Sequence, residues 1–240
     1  MSKLSELRDR VERADGRLLM AVVLMVAIMA TQFVSSMFFG LTLGVFTGEQ
    51  SMPLILALAA LTSYVVVLAL IWRNLQADEG ITFADIGLRA GRFSWPLTFG
   101  LAVVIYLTVS MLAGVYVELT GYVNEQQVAE WVGESQNMGP LVVGLLILAI
   151  VVVGPAVEEL IFRGYLQSAL SEMMPAWAAV LVSALVFGAF HLELGAFPLL
   201  VMVGAAFGAV YQITGTLWPA ILMHMMSNGL AVVQIFYGEF

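Results

Sequence analysis

Within stretches apolar enough to lie in a bilayer, the chain carries six ionisable side chains: Glu158, Glu159, Arg163, His191, Glu193 and His224. The amide of Asn228 follows one helical turn after the last of them. At membrane depth such groups are costly unless they are paired or face a wet cavity, so each marks a candidate site. In GPAVEELIFRGYL, residues 154–166, Glu159 and Arg163 are spaced i, i+4 in the favourable order for an ion pair. Glu158 stands five positions from Arg163, about 140° around a helix of 3.6 residues per turn. Its carboxylate therefore projects elsewhere and needs a partner from another element. The spacing implies a structural role for Glu159 with Arg163 and a chemical one for Glu158. FGAFHLELG, residues 187–195, ends a helix on His191, with Phe187 one turn before it. TLWPAILMHMMSNGL, residues 216–230, offers Thr216 as an N-cap and Pro219 in the first turn, then sets His224 and Asn228 at i, i+4 on one face.

One carboxylate with no partner on its own helix, the chain's only two histidines and an amide are parts for hydrolysis by an activated water. Glu158, desolvated among apolar side chains, is suited to act as general base on that water. His224 and Asn228 can donate hydrogen bonds to a developing oxyanion, and His191 can orient the water or protonate the leaving amine. The same Glu158, His191 and His224 also make a possible tridentate zinc site with an open fourth position, and the residues alone leave both versions open. Other hydrolase designs fit less well. Ser183 and Ser227 are candidate nucleophiles, but neither sits in a Gly-x-Ser-x-Gly turn. Asp9, Asp15, Asp78 and Asp85 all lie outside the spans, H-E-x-x-H is absent, and there is no cysteine. Three non-hydrolytic readings stand beside these: a charge cluster at a helix end, a transporter or proton pathway through the Glu and His groups, and a membrane scaffold. No inverted repeat supports the transporter.

The elements that must position these residues are membrane helices. Of 240 residues 61% are hydrophobic and only 11% charged, with a mean hydropathy of +0.98, where a soluble domain carries charge on about a quarter of its residues. The net charge of −8 gives no reason to expect a nucleic-acid partner. Hydropathy predicts an all-α, polytopic transmembrane bundle of about seven helices, near 18–46, 53–72, 95–118, 140–158, 176–192, 196–213 and 217–237. Residues 1–17 read as a cytoplasmic lead-in, 18–137 as N-terminal helices with a cytoplasmic loop at 73–94, and 138–240 as a catalytic core of four helices. Lys3, Arg8, Arg10, Arg13 and Arg17 before the first span, and Arg73, Arg89 and Arg92 in the 73–94 loop, put both segments in the cytoplasm. The 78–95 stretch reads as a linker at the interface. The 47–52 loop and the 119–139 loop, the latter with Glu125, Glu130 and Glu134, lack Lys and Arg and face outward. By a rise of about 1.5 Å per residue, Glu158, His191 and His224 can share one layer some 10–12 Å below the cytoplasmic surface.

EELIFR, FGAFH and HMMSN reproduce in order the motifs EExxxR, FxxxH and HxxxN. In them the chain resembles the CPBP family of intramembrane proteases, which includes type II CAAX prenyl endopeptidases and bacterial abortive-infection and bacteriocin-processing proteins. The likeness covers about 140–237, and the N-terminal helices carry no signature. It implies an all-helical membrane endopeptidase with Glu158, His191, His224 and Asn228 at the catalytic positions and Glu159 and Arg163 completing the first motif. It also implies a cavity opening toward the cytoplasm and the bilayer, a peptide or membrane-protein substrate entering from either, and residence in a prokaryotic cell membrane. Members are commonly labelled metalloproteases, while a metal-free glutamate mechanism is also argued, so the resemblance leaves zinc and metal-free catalysis both open.

Overall fold

The computed structural model describes residues 3–47, 52–77, 81–121 and 132–237. Among them there is no strand. Seven long helices follow one another: α1 (Lys3–Thr47), α2 (Met52–Ala77), α3 (Trp95–Thr120), α4 (Pro140–Met173), α5 (Ala176–Phe190), α6 (Phe197–Thr214) and α7 (Trp218–Tyr237). A short 3₁₀ turn, Ser135–Met138, precedes α4. Glu125 and Glu130 lie outside the described residues. Six of the helices are long and apolar enough to cross a membrane, so the chain is an integral, multi-pass membrane protein. The exception is α5. Its 15 residues rise about 22 Å against some 30 Å of hydrocarbon, shorter than the span expected at 176–192. It stops because the chain turns at His191, and Leu192 adopts a left-handed φ of 55°, a helix-ending conformation unusual for a side chain with a Cβ.

The fourth helix is longer than its expected 140–158, because Pro155 does not break it. Proline has no N–H and its ring clashes with the carbonyl one turn earlier in an ideal α-helix. Just ahead of it, Leu148–Val153 form a π turn, and the Gly154 amide bonds the carbonyl of Ala149 five residues back. The wider turn carries the helix past the proline. A second π stretch, Leu160–Gln167, follows, and every one of its residues is buried.

The described helices sort into two compact units, each discontinuous in sequence. The first draws on residues 1–23, 79–124 and 159–223, and the second on 24–78, 125–158 and 224–240. In the first, Phe162, Tyr165, Phe187, Phe207 and Leu217 are almost wholly buried. The approach of α6 to α4 rests on Gly204 and Gly208, the small-xxx-small pattern by which membrane helices pack closely. A Cβ on Gly204 would sit 3.0 Å from Phe187 Cδ1, and one on Gly208 would sit 2.6 Å from Gln167 Oε1. The 81–94 segment is a packed strap of this unit, not a linker. Ile86 is wholly buried, Gly87 O accepts from the Leu217 amide at 2.9 Å, and the Arg92 amide donates to Thr214 O at 2.7 Å. The expected N-cap role of Thr216 fails for the same reason, since its hydroxyl donates to Arg89 O on the strap at 2.7 Å and the helix starts at Trp218. In the second unit α2 packs on the first half of α4 through Ala57, Val142 and Leu146.

Candidate active site

The boundary between the units falls between Glu158 and Glu159, so the adjacent carboxylates have different surroundings. Glu159 and Arg163 form the expected ion pair, Oε1 to Nη1 at 2.9 Å, with both side chains at 0% exposure. That burial puts the pair inside the protein and away from any lipid-facing surface. Arg163 Nη2 also donates to Gly204 O at 2.7 Å, and the guanidinium carbon lies 4.7 Å from the Phe187 ring centroid, 5.5 Å from that of Phe207 and 6.0 Å from that of Phe162. The rings supply cation–π attraction where water cannot.

Phe187 in turn meets His191, ring centroids 4.7 Å apart and edge to face. His191 Nδ1 lies 2.8 Å from Phe187 O. A carbonyl oxygen only accepts, so Nδ1 carries the proton in this contact. The side chain is exposed at the end of α5. The phenylalanine of FxxxH thus links the arginine of the first motif to the histidine of the second. Ser183, weighed above as a nucleophile, is 1% exposed and donates to Phe162 O at 3.0 Å, a bond that satisfies a carbonyl of the second π stretch.

In the other unit His224 Nε2 approaches Glu158 Oε2 to 3.8 Å, with side-chain exposures of 5% and 17%. Asn228, one turn further along α7, donates through Nδ2 to Ile150 O at 2.9 Å. That carbonyl needs a donor. With Gly154 N taken by Ala149, the residue five beyond Ile150 is Pro155, which has no N–H. Asn228 fills the vacancy, which fixes α7 against α4 and aims His224, at i−4, along the same face as Asn228. Spacing along α7 alone did not reveal this anchoring role.

Two further residues escaped the sequence reading. Tyr64 on α2 lies within electrostatic reach of Glu158, and its hydroxyl is 2.8 Å from where a Cβ on Gly154 would stand, one turn before Glu158. An aromatic in an apolar helix carries no signal that separates it from core. Gln167, wholly buried, donates to Gly208 O at 3.0 Å; here GAAFG, residues 204–208, was a legible signal. Tyr64 also lines an apolar cavity of about 170 Å³ with Gln32, Ala57, Leu146, Ala149 and Ile150, comparable to cavities that admit a benzene ring.

Glu158 and His224 are two of the three ligands zinc would need. Among the described residues no three His, Cys, Asp or Glu side chains group as a metal site. Glu158 and His224 belong to the second unit and His191, the third ligand expected, to the first.

Residues 140–230 match a family model described as Rce1-like, type II CAAX prenyl endopeptidase. A protein of Bacillus subtilis (strain 168) named "Putative membrane peptidase YdiL" is 35% identical over 106 residues, which are 42% of this chain and 43% of that protein. The match thus spans under half the length of that relative. No solved structure matches the chain. The motifs EELIFR, FGAFH and HMMSN all lie within the matched residues 140–230, so the likeness to type II CAAX prenyl endopeptidases falls on the stretch that holds Glu158, His191 and His224.

Proposed function

We propose that the chain is an intramembrane endopeptidase in which Glu158 is the general base. The observation that carries the reading is the pairing of Glu158 with His224 in otherwise apolar surroundings. Their 3.8 Å separation is too long for a direct hydrogen bond and suits two groups that share a water. In the proposed step a Glu158 carboxylate oxygen takes a proton from that water as its oxygen adds to the scissile carbonyl carbon. The carbonyl electron pair moves onto oxygen, and the His224 N–H donates to the oxyanion. On collapse the C=O re-forms, the C–N bond breaks, and the proton held by Glu158 passes to the leaving amine. One water is consumed, and one carboxyl and one amine result. His191, bonded through Nδ1 to Phe187 O, is assigned from its place in the FxxxH motif the part of orienting the water or relaying the proton. Asn228 acts first as a positioning residue for His224, and its second Nδ2 hydrogen is a further donor for the oxyanion.

The substrate class is a peptide or membrane-protein segment entering from the bilayer or the cytoplasm, with the cavity beside Tyr64 able to take one apolar side chain. The proposed mechanism uses no metal. The test is cleavage of a library of membrane-anchored peptides by the full chain in proteoliposomes, read by mass spectrometry. Glu158→Gln should lower turnover by about 10²–10⁴-fold, the usual contribution of a general base, while leaving the thermal midpoint in place. A well-folded Glu158→Gln protein that cleaves like the wild type would refute it.

A further inference from the structure

The first unit contains a polar cavity of about 250 Å³ whose lining includes no residue of the Glu158–His224 site. It is lined by Arg17, Asp85, Arg89, Arg92, Ser171 and Glu172, among others. These residues come from places where membrane-crossing elements begin or end. Arg17 stands at the start of the apolar run of α1, Ser171 and Glu172 in the last turn of α4, and Asp85, Arg89 and Arg92 on the strap beneath the C-terminus of α6. Helix ends of this kind fall at the depth of lipid headgroups.

Three guanidinium groups face two carboxylates, leaving one positive charge in excess. Asp85 counts as ionised. Burial alone would raise its carboxyl, but hydrogen bonds from the Thr82 hydroxyl and amide and the charges of Arg17 and Arg89 outweigh that and hold it below the ordinary range. Arg17 is only 7% exposed. Its Nη2 pairs with Glu172 Oε1 at 2.5 Å, yet its buried Nε has no hydrogen-bond partner among the described residues. An unmatched guanidinium N–H in such a place is unfavourable unless something else accepts from it. Arg89 Nε donates to Gly215 O and Arg92 Nη1 to Gln212 O, each at 2.8 Å. Each guanidinium has five N–H donors in a fixed fork, so both side chains are held in place with donors to spare. Rigid arginines, a buried donor without an acceptor, and an excess charge of +1 form a cradle for a monoanion with several oxygens.

We propose that this cavity binds a phosphate group, most naturally the phosphodiester of an anionic phospholipid headgroup, whose single negative charge neutralises the site. Arginine forks match phosphate geometry, and basic pockets between membrane helices are known lipid-headgroup sites. The inference does not rest on the peptidase reading, and its test is read by binding alone.

The delipidated full chain in neutral detergent is titrated with dioctanoyl phosphatidylglycerol, dioctanoyl phosphatidylcholine and inorganic phosphate, following the thermal midpoint. Phosphatidylglycerol should raise the midpoint saturably, and phosphatidylcholine should not. Arg17→Gln should weaken phosphatidylglycerol binding by about tenfold or more, the effect of losing a charge-assisted hydrogen bond. Glu172→Gln, at an exposed position, raises the excess charge by one and should tighten binding about fivefold. A purely structural role for the cluster would not produce that gain. Should Arg17→Gln fail to fold, the wild-type and Glu172→Gln comparison decides. Inorganic phosphate matching the lipid at equal concentration would support the phosphate site and assign its occupant to the soluble pool. Equal responses to the two lipids, or an unchanged affinity in Glu172→Gln, would overturn the proposal.

Discussion

Replacing Glu159 by Ala leaves Arg163 in place, wholly buried, with the Gly204 carbonyl and three aromatic rings around it but without the carboxylate 2.9 Å from Nη1. The rings and the carbonyl are present in both proteins, so they do not offset the loss. What changes is that a buried ion pair becomes a buried cation, a change that destabilises by about 3–5 kcal/mol. Glu159→Gln keeps the volume and one acceptor and gives up only the charge, so about 1.5–3 kcal/mol is expected. Glu159→Gln combined with Arg163→Met removes both charges together and should recover much of the loss, because deleting a buried pair is far milder than halving it. The assay is reversible unfolding in mixed micelles, followed by the fluorescence of the five tryptophans, with peptide cleavage measured alongside. The order of stability should be wild type, then the double variant and Glu159→Gln, then Glu159→Ala. If Glu159→Ala unfolds within about 1 kcal/mol of wild type while turnover disappears, Glu159 belongs to the chemistry and the structural assignment is wrong.

Asn228→Ala should destabilise by about 1–3 kcal/mol by stranding the Ile150 carbonyl, and adding Pro155→Ala, which restores an N–H near that carbonyl, should recover part of the loss; strictly additive effects in the double-mutant cycle would refute the pairing. Gly154→Ala sets a Cβ 2.8 Å from both Ala149 O and Tyr64 Oη, so a loss of about 1–3 kcal/mol from overpacking and reduced turnover are expected, and wild-type melting with full activity would count against the close packing. Asp85 has a depressed folded pKa, so its stabilisation is present above the ordinary value of 3.8 and is lost as pH falls through the folded one. Asp85→Asn should therefore flatten the acid limb of stability below about pH 4, modestly because the group is exposed and screened, and identical acid limbs would contradict the assignment. Elemental analysis of active protein should find turnover without stoichiometric zinc, and zinc lost together with activity would overturn the metal-free mechanism.

What could be read from the chain was whatever depends on one element at a time. Apolar run length located the helices, and the i, i+4 rule paired Glu159 with Arg163 because both partners lie on one helix. The angle that separated Glu158 from that pair needed only helical geometry. What escaped depends on a second element arriving at the right place. Thr216 looked like an N-cap until the strap carbonyl of Arg89 took its hydroxyl, and Ser183 looked like a nucleophile until the Phe162 carbonyl claimed it. The expected span of α4 stopped at 158 because the apolar run ends at the Glu158–Glu159 pair, whereas Glu159 is paired with Arg163 in a buried setting and the helix runs on to Met173.

The two π stretches of α4 explain why polar residues gather around it. A π turn in hydrocarbon leaves carbonyls with no water to turn to, so a donor must come from a neighbouring helix. Asn228 supplies one at Ile150 and Ser183 another at Phe162. Asn228 belongs to the motif that also holds His224, so one residue serves the backbone of α4 and the placement of the histidine together. Arg163 likewise serves two ends, holding Gly204 through its guanidinium while its face contacts Phe187, which meets His191 edge to face. An alanine at Asn228 or Arg163 would therefore lower activity whether or not either residue touches substrate. At Glu158, which lies beside Tyr64 and His224, turnover should fall with the fold intact.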